Sequence, residues 1–99
     1  MFVHAVYFWL RDDLSVEDRA TFETLLRELP SIEHVTHGYI GVPADTSREI
    51  VDRSYSFAEI LIFEDRAAHD AYQVHPTHRR FAERCSTFWR RIAIYDSVG

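Results

Sequence analysis

Ninety-nine residues with 46% hydrophobic and 14% aromatic side chains describe one folded domain spanning 1–99, not a disordered chain. The net charge of −5 argues against nucleic acid, whose phosphates require basic clusters, and all eleven basic residues are arginine, so no lysine can form a Schiff base or hold a pyridoxal cofactor. A chain of this size buries only about 60–65% of its unfolded surface, so its own core is thin.

Phe2 to Leu10 alternates and predicts a strand. One face carries Phe2, His4, Val6, Phe8 and Leu10; the other carries Val3, Ala5, Tyr7 and Trp9. The run has no basic leader and is too short to span a bilayer, so it reads as neither signal peptide nor membrane helix. Ser15 predicts an N-cap, and the helix after it runs to about Leu29 with Val16, Phe22, Leu25, Leu26 and Leu29 facing inward until Pro30 stops it. His34 to Val42 predicts a second strand, residues 43 to 53 a polar connection, and Tyr55 to Phe63 a third strand that is apolar on both faces. Glu59 is out of place there: a buried carboxylate needs a partner such as His4 or an arginine, or else lines a cavity.

Glu64-Asp65 predicts the cap of a second helical region, whose apolar positions include Ala68, Tyr72, His75, His78, Phe81, Cys85 and Phe88 or Trp89. Pro76 interrupts that pattern, so the helix breaks near His75 and restarts with Pro76 as its first residue. Arg79, Arg80, Arg84, Arg90 and Arg91 read as a solvated helix face. Cys85, the single cysteine, excludes an intrachain disulfide; at an apolar helix spacing it reads as packing, and it fits a reducing cytoplasm. Ile92 to Val98 closes the chain as a strand carrying Asp96.

The order β-α-β-β-α-β predicts an α+β, ferredoxin-like fold with both helices on one face of a four-stranded antiparallel sheet. The other face is bare in that arrangement, yet strands one and three are apolar on both sides. A homodimer follows, with sheets packed face to face over Val3, Ala5, Tyr7, Trp9, Ala58, Ile60 and Ile62.

The chemistry-bearing residues cluster late in the chain. With Pro76 first in its helix, His78 is third, where unpaired N–H groups and the helix dipole disfavour a protonated ring. A neutral imidazole there can act as a general base. Asp96 is the candidate to orient it, Tyr72 a donor to a substrate carbonyl or enolate, and His4 an assisting catalytic group in the same cavity. Phe8, Phe57, Glu59, His75, Phe81 and Trp89 are the remaining candidate pocket residues. The competing reading makes the His-Pro-x-His step only a helix restart and Asp96 a brace between helix and sheet. A metal site at His75 and His78 lacks obvious third ligands beyond His4 and Glu59, and His34 and His37 would face opposite ways on a strand, so no metal or other cofactor is assigned.

The His4 strand, Tyr55-Ser56-Phe57-Ala58, Phe63-Glu64-Asp65, Tyr72-x-x-His75-Pro76-x-His78-x-x-Phe81 and the closing Tyr95-Asp96 together resemble the stress-responsive A/B barrel (Dabb) domain family over essentially the whole chain. The resemblance implies a dimeric α/β barrel. It also implies a small-molecule pocket between sheet and helices and, by likeness to a plant polyketide cyclase of the family, aldol-type acid–base chemistry without a cofactor on a small apolar carbonyl or phenolic ligand. In that likeness Tyr72 and His78 match the acid–base pair, Asp96 the aspartate beside the histidine, and His4, Phe81, Phe88 and Trp89 further positions. Phe57, Glu59 and about Leu26 depart from the cyclase pattern. The alternatives are a non-catalytic ligand-binding or stress-related dimer, and a haem- or metal-dependent monooxygenase.

Overall fold

β1 (Phe2–Leu10) is the strand on which the other elements are organised. The computed structural model describes residues 1–99, and after β1 the chain forms α1 (Val16–Glu28), a 3-10 turn (Leu29–Ser31), β2 (His37–Gly41), β3 (Phe57–Phe63), α2 (Arg66–Gln73), α3 (Pro76–Cys85) and β4 (Trp89–Val98). The sheet order is β2-β3-β1-β4, and every neighbouring pair is antiparallel. This is a ferredoxin-like α+β fold.

The sheet register sorts the side chains. Ile40, Glu59, Val6 and Ile94 form one row across all four strands, and Gly38, Leu61, His4 and Asp96 another. These rows lie on the helix side, where Phe2, Val6, Phe8, Leu10, Phe57, Leu61 and Phe63 pack with Phe22, Leu26 and Leu29 of the α1 segment and with Tyr72, Phe81 and Cys85 of α2 and α3. The opposite face carries Tyr39, Ile60, Ala5 and Tyr95 in one row.

Helix starts follow local chemistry. Ser15 accepts from the Asp18 N–H at 3.0 Å and Asp65 from the Ala68 N–H at 2.9 Å, each quenching an otherwise unpaired donor. Pro76 opens α3 as its first residue, with His75 as N-cap.

Some boundaries differ from expectation. α3 ends at Cys85, so Trp89 belongs to β4, which starts three residues before the predicted Ile92. Aromatic residues fit either period, and strand pairing of Leu10 with Trp89 decides the matter here. β2 starts at His37 and ends at Gly41, shorter than predicted at both ends, and β3 starts at Phe57; residues 42 to 56 between them run as irregular chain. Val16, expected inward, is 81% exposed.

Candidate functional site

A cavity of about 210 Å³ opens between the helix side of the sheet and α3. Its apolar wall is Val6, Phe8, Leu29, Phe81, Ala82, Trp89, Ile92 and Ile94; His4, Glu59, Gln73 and His78 supply its polar groups. The dimension suits a single ring with a short substituent, given that an apolar cavity of roughly 150 Å³ accommodates benzene.

His4 projects from the centre of β1 and is 4% exposed. Its strand partner is Asp96, and His4 Nδ1 lies 2.6 Å from Asp96 Oδ1. A carboxylate only accepts, so Nδ1 carries the proton and Nε2 holds the lone pair. Burial lowers the His4 pKa below its ordinary value, with Asp96 pulling in the opposite direction. The expected pairing of Asp96 with His78 therefore does not form: the β1–β4 register places the carboxylate against His4 instead.

His78 is the third residue of α3, as its spacing from Pro76 predicts. Burial is the main cause that lowers its pKa; the Gln73 main chain works the other way, the sign of a carbonyl acceptor facing the ring. Its ring stands edge-on to Tyr72, with centroids 4.8 Å apart.

Tyr72 is fully buried, between the rings of Phe63, His4 and His78. Its hydroxyl is sealed from the cavity and turned toward Glu59. Neither Tyr72 OH nor Glu59 Oε2 has a hydrogen-bond partner, yet each perturbs the other's titration, so the two face one another just outside bonding geometry. Burial pushes the phenol well above its ordinary range, with Glu59 adding to the shift. Glu59 sits mid-β3 between Val6 and Ile40, and burial pushes its carboxyl up to about 8, with Tyr72 pulling slightly down. The partners weighed from sequence, His4 or an arginine, do not bond it.

Phe8, Glu59, Phe81 and Trp89 line the cavity, whereas Phe57 lies deeper in the core against Phe22, ring centroids 5.6 Å apart. His75 is also outside it, because its Nδ1 accepts from the Thr77 N–H at 3.1 Å to cap α3. Cys85 is buried, its thiol pushed up to about 11 by desolvation, which suits packing and not nucleophilic attack. Sequence reasoning missed His69, an α2 residue whose ring lies 4.9 Å from that of His4. Its place on α2, one turn before Gln73 and three residues before Tyr72, was the available signal. Ligand atoms of His4, His69 and Asp96 lie within 4.8 Å of one another, but His4 Nδ1 and both nitrogens of His69 already have hydrogen-bond partners.

Every ionisable group lining the cavity is thus shifted toward its neutral form, and one imidazole is backed by a carboxylate. That arrangement suits proton transfer to and from a small uncharged molecule.

The chain belongs to the Stress responsive A/B Barrel Domain (Dabb) family, which it matches over residues 2–98. Among solved structures, it is similar to a Dabb family protein with a ferredoxin-like fold from Mesorhizobium loti (25% identity, TM-score 0.76, 99% of this chain and 95% of that one). A dimeric ferredoxin-like protein of unknown function from Thermobifida fusca matches at 19% identity and TM-score 0.78, covering 99% and 90% of the two chains. The hydroxynitrile lyase of Passiflora edulis matches at 16% identity and TM-score 0.80, covering 99% and 92%. No curated protein matches the sequence. No helix is long and apolar enough to cross a membrane.

Proposed function

We propose that this Dabb protein is a homodimer whose cavity, one per subunit, binds a small apolar carbonyl or phenolic compound and transfers protons next to its carbonyl group without a cofactor. The observation that carries this reading is the buried His4–Asp96 pair, 2.6 Å apart, at a cavity whose other imidazole, His78, is also held neutral. His4 with Asp96 behind it is the better-oriented base, because an accepting carboxylate fixes the tautomer and stabilises the imidazolium that forms. His78 is the second proton carrier, and the Tyr72 ring packs against both imidazole rings from below. Lyase or cyclase chemistry of this kind is compatible with the fold, in which the Passiflora enzyme acts as a hydroxynitrile lyase.

The homodimer rests on the sheet face away from the helices. Val3, Ala5, Tyr7, Ile60 and Ile62 are half-buried there in the single chain, and Tyr39 and Tyr95 on the same face are 58% and 63% exposed. Trp9 and Ala58 are already covered by their own chain; Trp9 donates to Ser54 at 2.9 Å and stacks under Arg91. A partner sheet over this face supplies the second layer that a half-covered sheet needs. The free, buried Cys85 fits a cytoplasmic setting.

Exchange of the methyl protons of acetophenone for deuterium, followed by proton NMR, tests the reading. Catalysed exchange that His4→Ala abolishes is the expected result; no exchange and no binding would leave a non-catalytic dimer.

A further inference from the structure

Glu59 is the group that the imidazole chemistry leaves without a role. It is 2% exposed, on an inner strand, flanked across the sheet by Val6 and Ile40, with Oε2 unpartnered. Burying a carboxyl without a partner costs stability, so a side chain kept there needs another reason.

The donor and acceptor pattern of the cavity supplies one. His4 spends its N–H on Asp96, and the His78 ring faces the Gln73 carbonyl. Each neutral imidazole therefore presents a lone pair to a ligand. Proton abstraction beside a carbonyl also needs a donor at the oxygen where negative charge accumulates. Tyr72 does not reach the cavity, and Glu59 does.

We propose that Glu59 is the acid of this site: its carboxyl O–H donates to the carbonyl oxygen of a small, uncharged, largely apolar ketone or aldehyde bound in the cavity. The inference rests on the function proposed above and names the substrate class. When the α C–H bond breaks, its proton passes to His4 Nε2. The electron pair moves through the α carbon onto the carbonyl oxygen, where the Glu59 O–H meets it. Reprotonation from His4 reverses the step. The Tyr72 hydroxyl faces the same carboxyl from outside the cavity without a hydrogen bond to it. A carboxylic acid kept neutral in an apolar site serves as such a donor in known enzymes. The groups sharing this space are His4 from β1, His78 from α3 and Tyr72 from α2; β2 contributes Ile40, and no charged side chain is among the other lining residues. A carboxylate ligand would bring a bare charge into a cavity whose own groups are held neutral and would face its oxygens to the imidazole lone pairs, so benzoate is disfavoured while acetophenone is admitted.

The experiment measures acetophenone exchange and NMR-detected binding of acetophenone, benzoate and benzylamine to wild type, Glu59→Leu and Glu59→Gln. Loss of about 100-fold in exchange for Glu59→Leu, with the fold intact, is expected from removal of one such donor. Glu59→Gln, which keeps a neutral N–H donor, should retain most of the rate and lose the alkaline fall that wild type shows above pH about 8. If Glu59→Leu does not fold, the disappearance of that alkaline limb in Glu59→Gln decides the matter alone. Wild-type exchange that His4→Ala abolishes and neither Glu59 variant alters overturns this inference and spares the proposed function. Preferential binding of benzylamine or benzoate overturns it as well. Wild type that neither binds nor exchanges acetophenone overturns both.

Discussion

Asp96 stands opposite His4 across the β1–β4 ladder, and the two side chains meet at 2.6 Å on the helix side of the sheet. The contact is fixed by strand register and not by helix docking. Asp96→Asn should therefore leave the fold intact while removing the group that holds the His4 tautomer. The expected outcome is a loss of at least 100-fold in α-proton exchange, on the order of a few kcal/mol in barrier height. The His4 pKa should fall further, because Asp96 is what offsets burial. A ring titration by NMR reads that shift directly. An Asp96→Asn protein with unchanged exchange and unchanged His4 titration would remove the pair from the mechanism.

Glu59 and the two cavity histidines pull stability in opposite directions with pH. The Glu59 carboxyl rises from its ordinary 4.5 to about 8 in the fold, so the native state prefers it protonated. Its contribution is complete below pH 4.5 and is lost progressively as pH climbs to about 8. His4 and His78 are lowered from 6.5, so their contribution is present above that pH and is lost as pH falls through their folded values. The two windows overlap, and as pH rises toward 6.5 two histidines gain stability against one acid losing it, so stability should peak near pH 6.5. Glu59→Leu removes a desolvated acid from apolar surroundings, and at pH 8 it should raise stability by on the order of 1–4 kcal/mol while exchange activity drops. Urea unfolding at pH 5 and pH 8 checks both signs. A Glu59→Leu protein less stable than wild type at pH 8 would mean that the acid is a structural partner.

The sheet face makes a separate prediction. Ile60 lies in the middle of the row Tyr39, Ile60, Ala5 and Tyr95, and its side chain points away from the helices. Ile60→Arg should leave a protomer that sediments as a monomer at micromolar concentration, with a lower and no longer concentration-dependent Tm. A variant that stays dimeric at the same concentration would place the interface on another surface.

The sequence made most of the fold legible, because period-two and period-3.6 patterns are local. The β1 limits, the Ser15 cap, the Pro76 restart and His78 at the third helical position all follow from neighbours within a few residues. Pairings across long sequence separation were not legible. Asp96 and His4 are 92 residues apart, and only the register brings them together. The same holds for Glu59, whose facing group Tyr72 comes from another element, and for His69, whose ring reaches His4 through the docking of α2 on β1. Trp89 was misplaced because an aromatic residue suits either element until a strand partner claims it.

His75 tests the bland half of the His-Pro-x-His reading. Its ring accepts from the Thr77 N–H at 3.1 Å, and it does not line the cavity. His75→Ala should cost about 0.5–2 kcal/mol, the usual penalty for losing an N-cap acceptor, and leave acetophenone exchange within twofold. Substitution by Asn, a strong capping residue, should restore the stability. A large activity loss in a well-folded His75→Asn protein would give His75 a place in the chemistry that its geometry does not show.

Gly38 is needed for space and not for conformation. No residue of the chain has a positive φ, so an alanine there meets no backbone strain. A Cβ at Gly38 would, however, collide with Pro30 Cβ and press on the Pro30 main chain and on Leu61. Pro30 belongs to the rigid turn that follows α1, and its neighbour Leu29 forms part of the cavity wall. Part of that contact is with the Pro30 main chain, so relief requires β2 or the turn to shift. Gly38→Ala should cost about 1–3 kcal/mol, the range for overpacking a well-filled core. For a domain of this size each kcal/mol lowers Tm by roughly 4–8 °C. Methyl NMR of Leu29 and Leu61 should register the displacement, and weaker acetophenone binding should accompany it. An unchanged Tm and unmoved methyl signals would mean that the turn gives way without cost and that the close approach of β2 does not shape the cavity.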